Sequence, residues 1–144
     1  MNLQFKTVIT LLILCFGLNT FGQESMRRWR KMNQVRNDKF DLILPEVMRE
    51  NNIDMWIITN REGNFDPLYS DMGEGYVGST GYYIFTDKGG DRIERAALGI
   101  GGYLLEGSGA FDYFGSQSEL KAFVEARNPK RIGLNISKNF GGAD

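Results

Sequence analysis

The sequence predicts an α/β or α+β domain in which a helix packs on a sheet that is covered on both faces. Apolar residues recur from Phe40 to Met48 at the i, i+3, i+4, i+7, i+8 spacing of a one-sided amphipathic helix. The pattern then changes to a continuous apolar run over residues 55–58, as expected of a strand that is buried on both faces. A polar segment over residues 60–79 follows and is predicted to be a long loop. This order of elements is typical of folds in which helices cover a sheet.

The composition is that of one folded domain without a strong electrostatic field. The chain has 144 residues, 42% of them hydrophobic, and a formal net charge of −1. This charge provides no general attraction to nucleic acid, so we expect no nucleic-acid partner, and the basic cluster at 27–31 is expected to be a solvated helix face. The 144 residues include no histidine and one cysteine, Cys15. Histidine-dependent catalysis is therefore not available within this stretch of chain.

Residues 1–22 have the pattern of a secretory signal peptide. Lys6 precedes a short apolar core over residues 8–16, and Thr20 and Gly22 provide the small residues that a signal peptidase requires. Cleavage after Gly22 would leave a mature chain of residues 23–144 that is secreted or periplasmic. The alternative is a membrane anchor, but the apolar core is shorter than the ~20 residues that span a bilayer. The mature chain would have no cysteine, and hence neither a disulfide nor a thiol nucleophile.

Two helices are predicted before the buried strand. The first covers residues 25–35, where apolar side chains recur every three positions: Met26, Trp29, Met32 and Val35. Asn37 or Asp38 is expected to cap the second helix, which contains Pro45. Because proline removes a backbone hydrogen bond, we expect a kink at Pro45 rather than a break. Residues 51–52, both asparagine, are expected to end this helix.

The remaining elements are two strands, a helix and a final strand. Residues 81–86 and 92–98 are predicted to form a hairpin through the turn-forming residues 87–91, and residues 99–114 are expected to be irregular. Ser116 and Glu119 have capping-box spacing and should begin a helix, which residues 128–129 (Asn-Pro) should end. Its expected apolar face is Leu120, Phe123 and Val124. A short strand over residues 131–136 follows.

The polar segment 60–79 contains four carboxylates, which raises the question of a metal site. These residues are Glu62, Asp66, Asp71 and Glu74. Their spacing is not that of a calcium loop, because Pro67 and two further residues without carboxylate side chains interrupt the alternation of oxygen ligands. A solvated acidic loop is therefore the favoured interpretation, and no metal ligand is assigned in this chain.

Serine and glycine motifs provide no catalytic assignment either. The glycine-rich residues 99–103 lack the third glycine of a dinucleotide-binding turn, since Leu104 occupies that position. Serines in glycine-rich segments such as 78–81 have no histidine base, so only a lysine-assisted mechanism at Ser79 with Lys88 would remain for a serine nucleophile. The many aromatic residues between 82 and 114 are expected to pack in the core.

Four segments, taken together, resemble one protein family. They are Phe-Asp-Leu-Ile-Leu-Pro at 40–45 with Met-Arg-Glu at 48–50, Asn-Ile-Asp-Met-Trp-Ile-Ile at 52–58, Arg61-Glu62 with Asp66-Pro67, and Asn-Pro-Lys-Arg-Ile-Gly-Leu-Asn at 128–135. They occur in the order found in the N-terminal domain of bacterial Xaa-Pro aminopeptidase-like proteins, which they resemble. Those proteins are pita-bread metallopeptidases, as are prolidase and creatinase. The resemblance covers nearly the whole of residues 23–144, through packing motifs rather than a catalytic motif.

The resemblance implies a mixed β-sheet flanked by helices, the creatinase/prolidase N-terminal type, truncated here before a C-terminal catalytic domain. In the family that second domain holds two divalent metal ions, such as manganese, on aspartates, a histidine and glutamates. No catalytic or metal-binding residue carries over to residues 23–144. The implied partners are the catalytic domain of the parent protein and further copies of it in a homo-oligomer, without a stable membrane anchor.

The expected function is therefore that of a non-catalytic domain in a secreted metal-dependent aminopeptidase, a hydrolase. It would contribute to oligomerisation and to the shape of the substrate pocket, with Arg61 of the polar loop as the candidate substrate-binding residue. The alternative is a stand-alone secreted binding module without enzymatic activity. A third hypothesis, a small hydrolase that uses Asp66 and Asp71, predicts metal-dependent activity of the chain alone.

Overall fold

The computed structural model describes residues 22–139, which fall in two compact units that divide between Gln34 and Val35. In the first unit, residues 22–34 are helical (α1). The basic residues of this helix are exposed as expected, and Arg27 and Arg28 form ion pairs with Glu24. No helix among the described residues is long and apolar enough to cross a membrane. The predicted signal peptide lies almost entirely outside the described residues.

The second unit begins with helical residues 35–38. All residues of the first predicted helix, 25–35, are therefore helical. A π-helical turn, Lys39–Ile43, and helix α2, Leu44–Glu50, follow without a break. The prediction of a cap at Asn37 or Asp38 is wrong, because both residues are helical and Asp38 makes no side-chain capping bond. The helix changes type just before Pro45, where Leu44 N–H donates to Lys39 O in the π pattern. The predicted end is confirmed, because Asn52 has a left-handed backbone with φ of 55°.

Five strands form one mixed sheet in the order β4-β3-β2-β1-β5. The strands are β1 Met55–Arg61, β2 Tyr76–Thr86, β3 Glu94–Gly101, β4 Tyr113–Gly115 and β5 Ile132–Leu134. The central neighbours β1, β2 and β3 are antiparallel, which confirms the predicted β2–β3 hairpin. Both edge strands are parallel to their neighbours, β4 to β3 and β5 to β1. The fold is thus α/β with a mixed sheet and helices on both sides.

Strand β1 separates two hydrophobic cores, which confirms that it is buried on both faces. Ile58 packs in the larger core with Phe40, Met48 and the aromatic residues of β2. Ile57, one position earlier, packs in the smaller core beneath helix α5, Leu120–Arg127, where Phe123 is 6% exposed. Alternate side chains of a strand point to opposite faces, so each face of β1 contributes to a different core.

The second half of the chain has more regular structure than the sequence predicts. Strand β2 begins at Tyr76, and single helical turns occupy Tyr69–Met72 (α3) and Tyr103–Glu106 (α4). The predicted capping box is confirmed, because Glu119 Oε1 accepts from Ser116 N–H at 2.7 Å. A 3₁₀ turn, Gln117–Glu119, lies between this cap and α5. The left-handed Asn128 ends α5 as expected.

Candidate functional site

The candidate site lies beyond the carboxyl end of β1, beside its parallel neighbour β5. Because β1 and β5 run in the same direction, the residues that follow them are brought to the same edge of the sheet. These are Asn60 and Arg61 at the end of β1, Asp66 in the loop and Asn135 directly after β5. Three of the four segments that carry the family resemblance, 52–58, 61–67 and 128–135, therefore meet here.

A chain of hydrogen bonds joins these segments. Trp56 Nε1 donates to Asn135 Oδ1 at 3.0 Å, and Asn135 Nδ2 donates to Asp66 Oδ2 at 2.9 Å. The other carboxylate oxygen of Asp66 accepts from Leu68 N–H at 2.8 Å, while Asp66 N–H donates to Asn60 Oδ1 at 3.1 Å. Asn60 and Asp66 are 0% and 2% exposed. Buried polar groups are costly unless they are bonded, so this network fixes the conformation of the loop.

Asn60 Nδ2 is the one atom of this network that is buried without a hydrogen-bond partner. The amide cannot be reversed to solve this, because Asn60 Oδ1 is needed to accept from Asp66 N–H. The buried Asn60 Nδ2 group is therefore an exception to the rule that buried polar groups are hydrogen-bonded.

Arg61 lies where the strand turns into the loop. Arg61 O accepts from Asn64 N–H at 3.0 Å in a tight turn, in which Gly63 has φ of 71°. Glu62 N–H donates to Ser79 O at 2.9 Å, which links the turn to β2. The Arg61 residue is exposed, as a residue that contacts a ligand from outside the domain must be. The sheet thus presents Arg61 on a short, well-anchored turn.

The prediction of a fully solvated acidic loop is wrong for Asp66, which is buried in the network. The other carboxylates of the segment are exposed, and two of them lie near a polar partner: Asp71 lies 3.9 Å from Lys39 Nζ, and Glu74 accepts from Ser70 Oγ at 2.7 Å. Within residues 22–139 no group of three or more His, Cys, Asp or Glu side chains could hold a metal ion.

The serine mechanism that the sequence left open is not assembled. Ser79 Oγ donates to Gln117 Oε1 at 3.1 Å, whereas Lys88 Nζ forms an ion pair with Glu94 at 2.9 Å. Each side chain is therefore engaged elsewhere. The glycine-rich residues 99–101 are the end of strand β3 rather than a phosphate-binding turn.

Two buried tyrosines secure the far end of the loop. Tyr83 O–H donates to Gly73 O, and Tyr69 O–H donates to Gly75 O. Burial raises the pKa of both phenols above the ordinary value. The phenols therefore stay protonated and keep donating to the loop backbone at neutral pH.

Sequence reasoning missed Asn60, Trp56 and Asn135 as members of this network. Asn60 lies two and four positions from Ile58 and Trp56, so it shares their face of β1. An asparagine in phase with a buried run was the available signal for a buried amide. Contact with Asn135 could not be inferred, because it depends on the pairing of β1 with β5, in which Met55 lies opposite Ile132.

Comparisons with models of protein families, with curated proteins and with solved structures find no match to this chain.

Proposed function

We propose that residues 23–144 are the non-catalytic N-terminal domain of a secreted Xaa-Pro aminopeptidase-like metallopeptidase. In this proposal the domain contributes to oligomerisation, and the turn at Arg61 helps to shape the substrate pocket of a neighbouring subunit. The peptide bond before proline would be hydrolysed in a separate domain that holds two divalent metal ions, such as manganese.

One observation supports the proposal most strongly. The segment at 128–135 is far in sequence from the two neighbouring segments at 52–58 and 61–67, yet the polar residues Trp56, Asp66 and Asn135 of the three form one hydrogen-bonded network. That network anchors the loop behind Arg61. Packing motifs alone would not require three polar positions to meet beside an exposed arginine.

The chemistry of Arg61 suits the proposed role. A guanidinium is always charged and donates to carboxylate or carbonyl oxygens in a fixed geometry. Placed against a partner's pocket, it would bind the substrate backbone and would take no part in bond cleavage. Its loss should therefore raise KM more than it lowers kcat.

The test uses the complete gene product and a peptide with proline in its second position, in the presence of manganese. We expect hydrolysis before proline, and we expect Arg61→Ala to raise KM by about tenfold, the effect of one lost charged hydrogen bond of about 1.4 kcal/mol. Lys121→Ala is the matched control, because Lys121 is an 85% exposed cation on α5. Unchanged KM and kcat in Arg61→Ala would contradict the role of Arg61. Absence of hydrolysis by the complete product would contradict the peptidase assignment.

A further inference from the structure

Strand β5 is an edge of the sheet that residues 22–139 form. In the part of the chain that the structure describes, it pairs only with β1, and its ladder covers Ile132 to Leu134. Arg131 O, directly before β5, accepts from Met55 N–H at 3.2 Å. The backbone N–H and C=O groups that face β1 are therefore those of residues 131 and 133. Backbone groups alternate in direction along a strand. The N–H and C=O groups of Ile132 and Leu134 therefore point away from the sheet.

An apolar stripe accompanies this edge. Ile132, Leu134 and Ile136 alternate along the chain and are 44%, 45% and 74% exposed. Parallel partners point to the same face, and Met55 and Ile57 pair with Ile132 and Leu134, so the stripe extends the face of the smaller core. Helix α5 covers that core through Phe123 but leaves the stripe exposed.

Positive charge flanks the stripe on both sides. Lys130 and Arg131 precede β5 and Lys138 follows it, and all three residues are exposed. None of them forms an ion pair with another residue between 22 and 139. The nearby carboxylate of Asp54 accepts from the backbone N–H groups of Lys130 and Arg131, at 2.8 and 2.9 Å.

We propose that β5 binds an extended peptide segment that adds a sixth strand to the sheet. The segment has apolar side chains at alternate positions, which pack on the Ile132 stripe, and aspartate or glutamate at its ends. Backbone bonds to Ile132 and Leu134 provide the binding energy, and the three cations select for acidic flanks. A second copy of β5 is disfavoured as the partner, because it would bring the same positive charges to this edge.

The proposal is tested with the full chain and two nine-residue probes with blocked ends. The acidic probe is Glu-Asp-Val-Thr-Val-Thr-Val-Asp-Glu, and the matched control replaces all four acidic residues by lysine. We expect only the acidic probe to bind, and we expect its binding to slow hydrogen exchange at the amides of Ile132 and Leu134. Exchange at these two amides identifies the edge directly in the unmodified protein.

Two variants distinguish the contribution of backbone hydrogen bonds to peptide binding from that of the positive charges. Leu134→Pro removes an outward N–H without removing a bond to β1, and should abolish binding. Arg131→Glu combined with Lys138→Glu should lower the affinity for the acidic probe by at least about tenfold. Lys121→Glu should leave this affinity unchanged. Failure of the acidic probe to bind, equal binding of both probes, or self-association through β5 would overturn the proposal. If Leu134→Pro does not fold, the exchange measurement and the charge variants decide.

Discussion

A single buried side chain, Asp66, holds the conformation of the polar loop that follows β1. Asp66 is 2% exposed and accepts hydrogen bonds with both carboxylate oxygens, one from Leu68 N–H and one from Asn135. A loop that is rich in glycine and acidic residues is therefore held by one buried carboxylate. The side chain of neighbouring Asp71, by contrast, is 55% exposed and lies 3.9 Å from Lys39 Nζ.

We predict that Asp66→Asn lowers the free energy of unfolding by about 2–3 kcal/mol. The amide has one acceptor oxygen, whereas Leu68 N–H and Asn135 Nδ2 each need one, and its NH₂ group would face the NH₂ group of Asn135. Asp71→Asn is the control and should change stability by less than about 0.5 kcal/mol. Combining Asp66→Asn with Asn135→Asp restores a donor opposite an acceptor and should recover most of the loss. Equal urea-unfolding midpoints for Asp66→Asn and Asp71→Asn would show that the network does not stabilise the fold.

A second residue-scale effect concerns Glu94 and Arg127, which join β3 to α5. Arg127 Nε donates to Glu94 Oε2 at 2.6 Å, and a second nitrogen donates to Oε1 at 2.9 Å. The hydrogen bond from Arg127 lowers the pKa of Glu94 below its ordinary value of 4.5. The pair therefore stabilises the fold fully above pH 4.5, and this contribution is lost as the pH falls through the lower pKa of the folded state.

Glu94→Gln should therefore cost about 1–2 kcal/mol at neutral pH and less under acidic conditions, since the wild-type carboxylate is itself neutralised there. The measurement is urea unfolding at a series of pH values from about 7 down to about 3. Glu125→Gln is the matched control, because Glu125 is 65% exposed and lies 3.8 Å from its partner Lys121. A constant difference between wild type and Glu94→Gln across this range would contradict the assignment.

At the scale of elements, periodicity predicted the local structures and failed where glycine occurs inside a strand. Helices α1, α2 and α5, the buried strand β1, the hairpin and the capping box were predictable, because each depends on residues close in sequence. Strand β2 was predicted only from residue 81, since the glycines at 78 and 81 are typical of a loop. The structure shows why they are in a strand: the register of β2 against β3 shifts between Val77 and Tyr82.

Gly81 lies at this irregularity and has no room for a side chain. A Cβ atom there would collide with the Ile100 side chain and lie 2.9 Å from Gly99 O. We predict that Gly81→Ala costs about 1–3 kcal/mol and displaces β2 from β3. In the same strand, a Cβ atom at Gly78 would lie 3.8 Å from its nearest neighbour, a ring carbon of Tyr76, so Gly78→Ala should be tolerated. Equal thermal stability of the two variants would show that the irregular pairing does not depend on close approach at Gly81.

At the scale of the whole molecule, the sheet order could not be derived from local patterns. Placing β5 beside β1 joins Ile132 to Met55, and placing β4 beside β3 joins Tyr113 to Ala96. Both are parallel pairings between segments with intervening elements, and short strands of three residues contain little information about their partners. The meeting of Asp66 with Asn135 depends on the first of these pairings. For this reason the sequence could single out Arg61 as a candidate but could not predict the network in which Asp66 is buried.

The central claim, that this domain belongs to a larger metallopeptidase, is tested most directly by reading the transcript past the Asp144 codon. The account predicts an open frame that continues for about one further domain, with aspartates, a histidine and glutamates placed to bind two metal ions. A stop codon directly after Asp144 in a stable transcript would contradict it and would favour a stand-alone binding module.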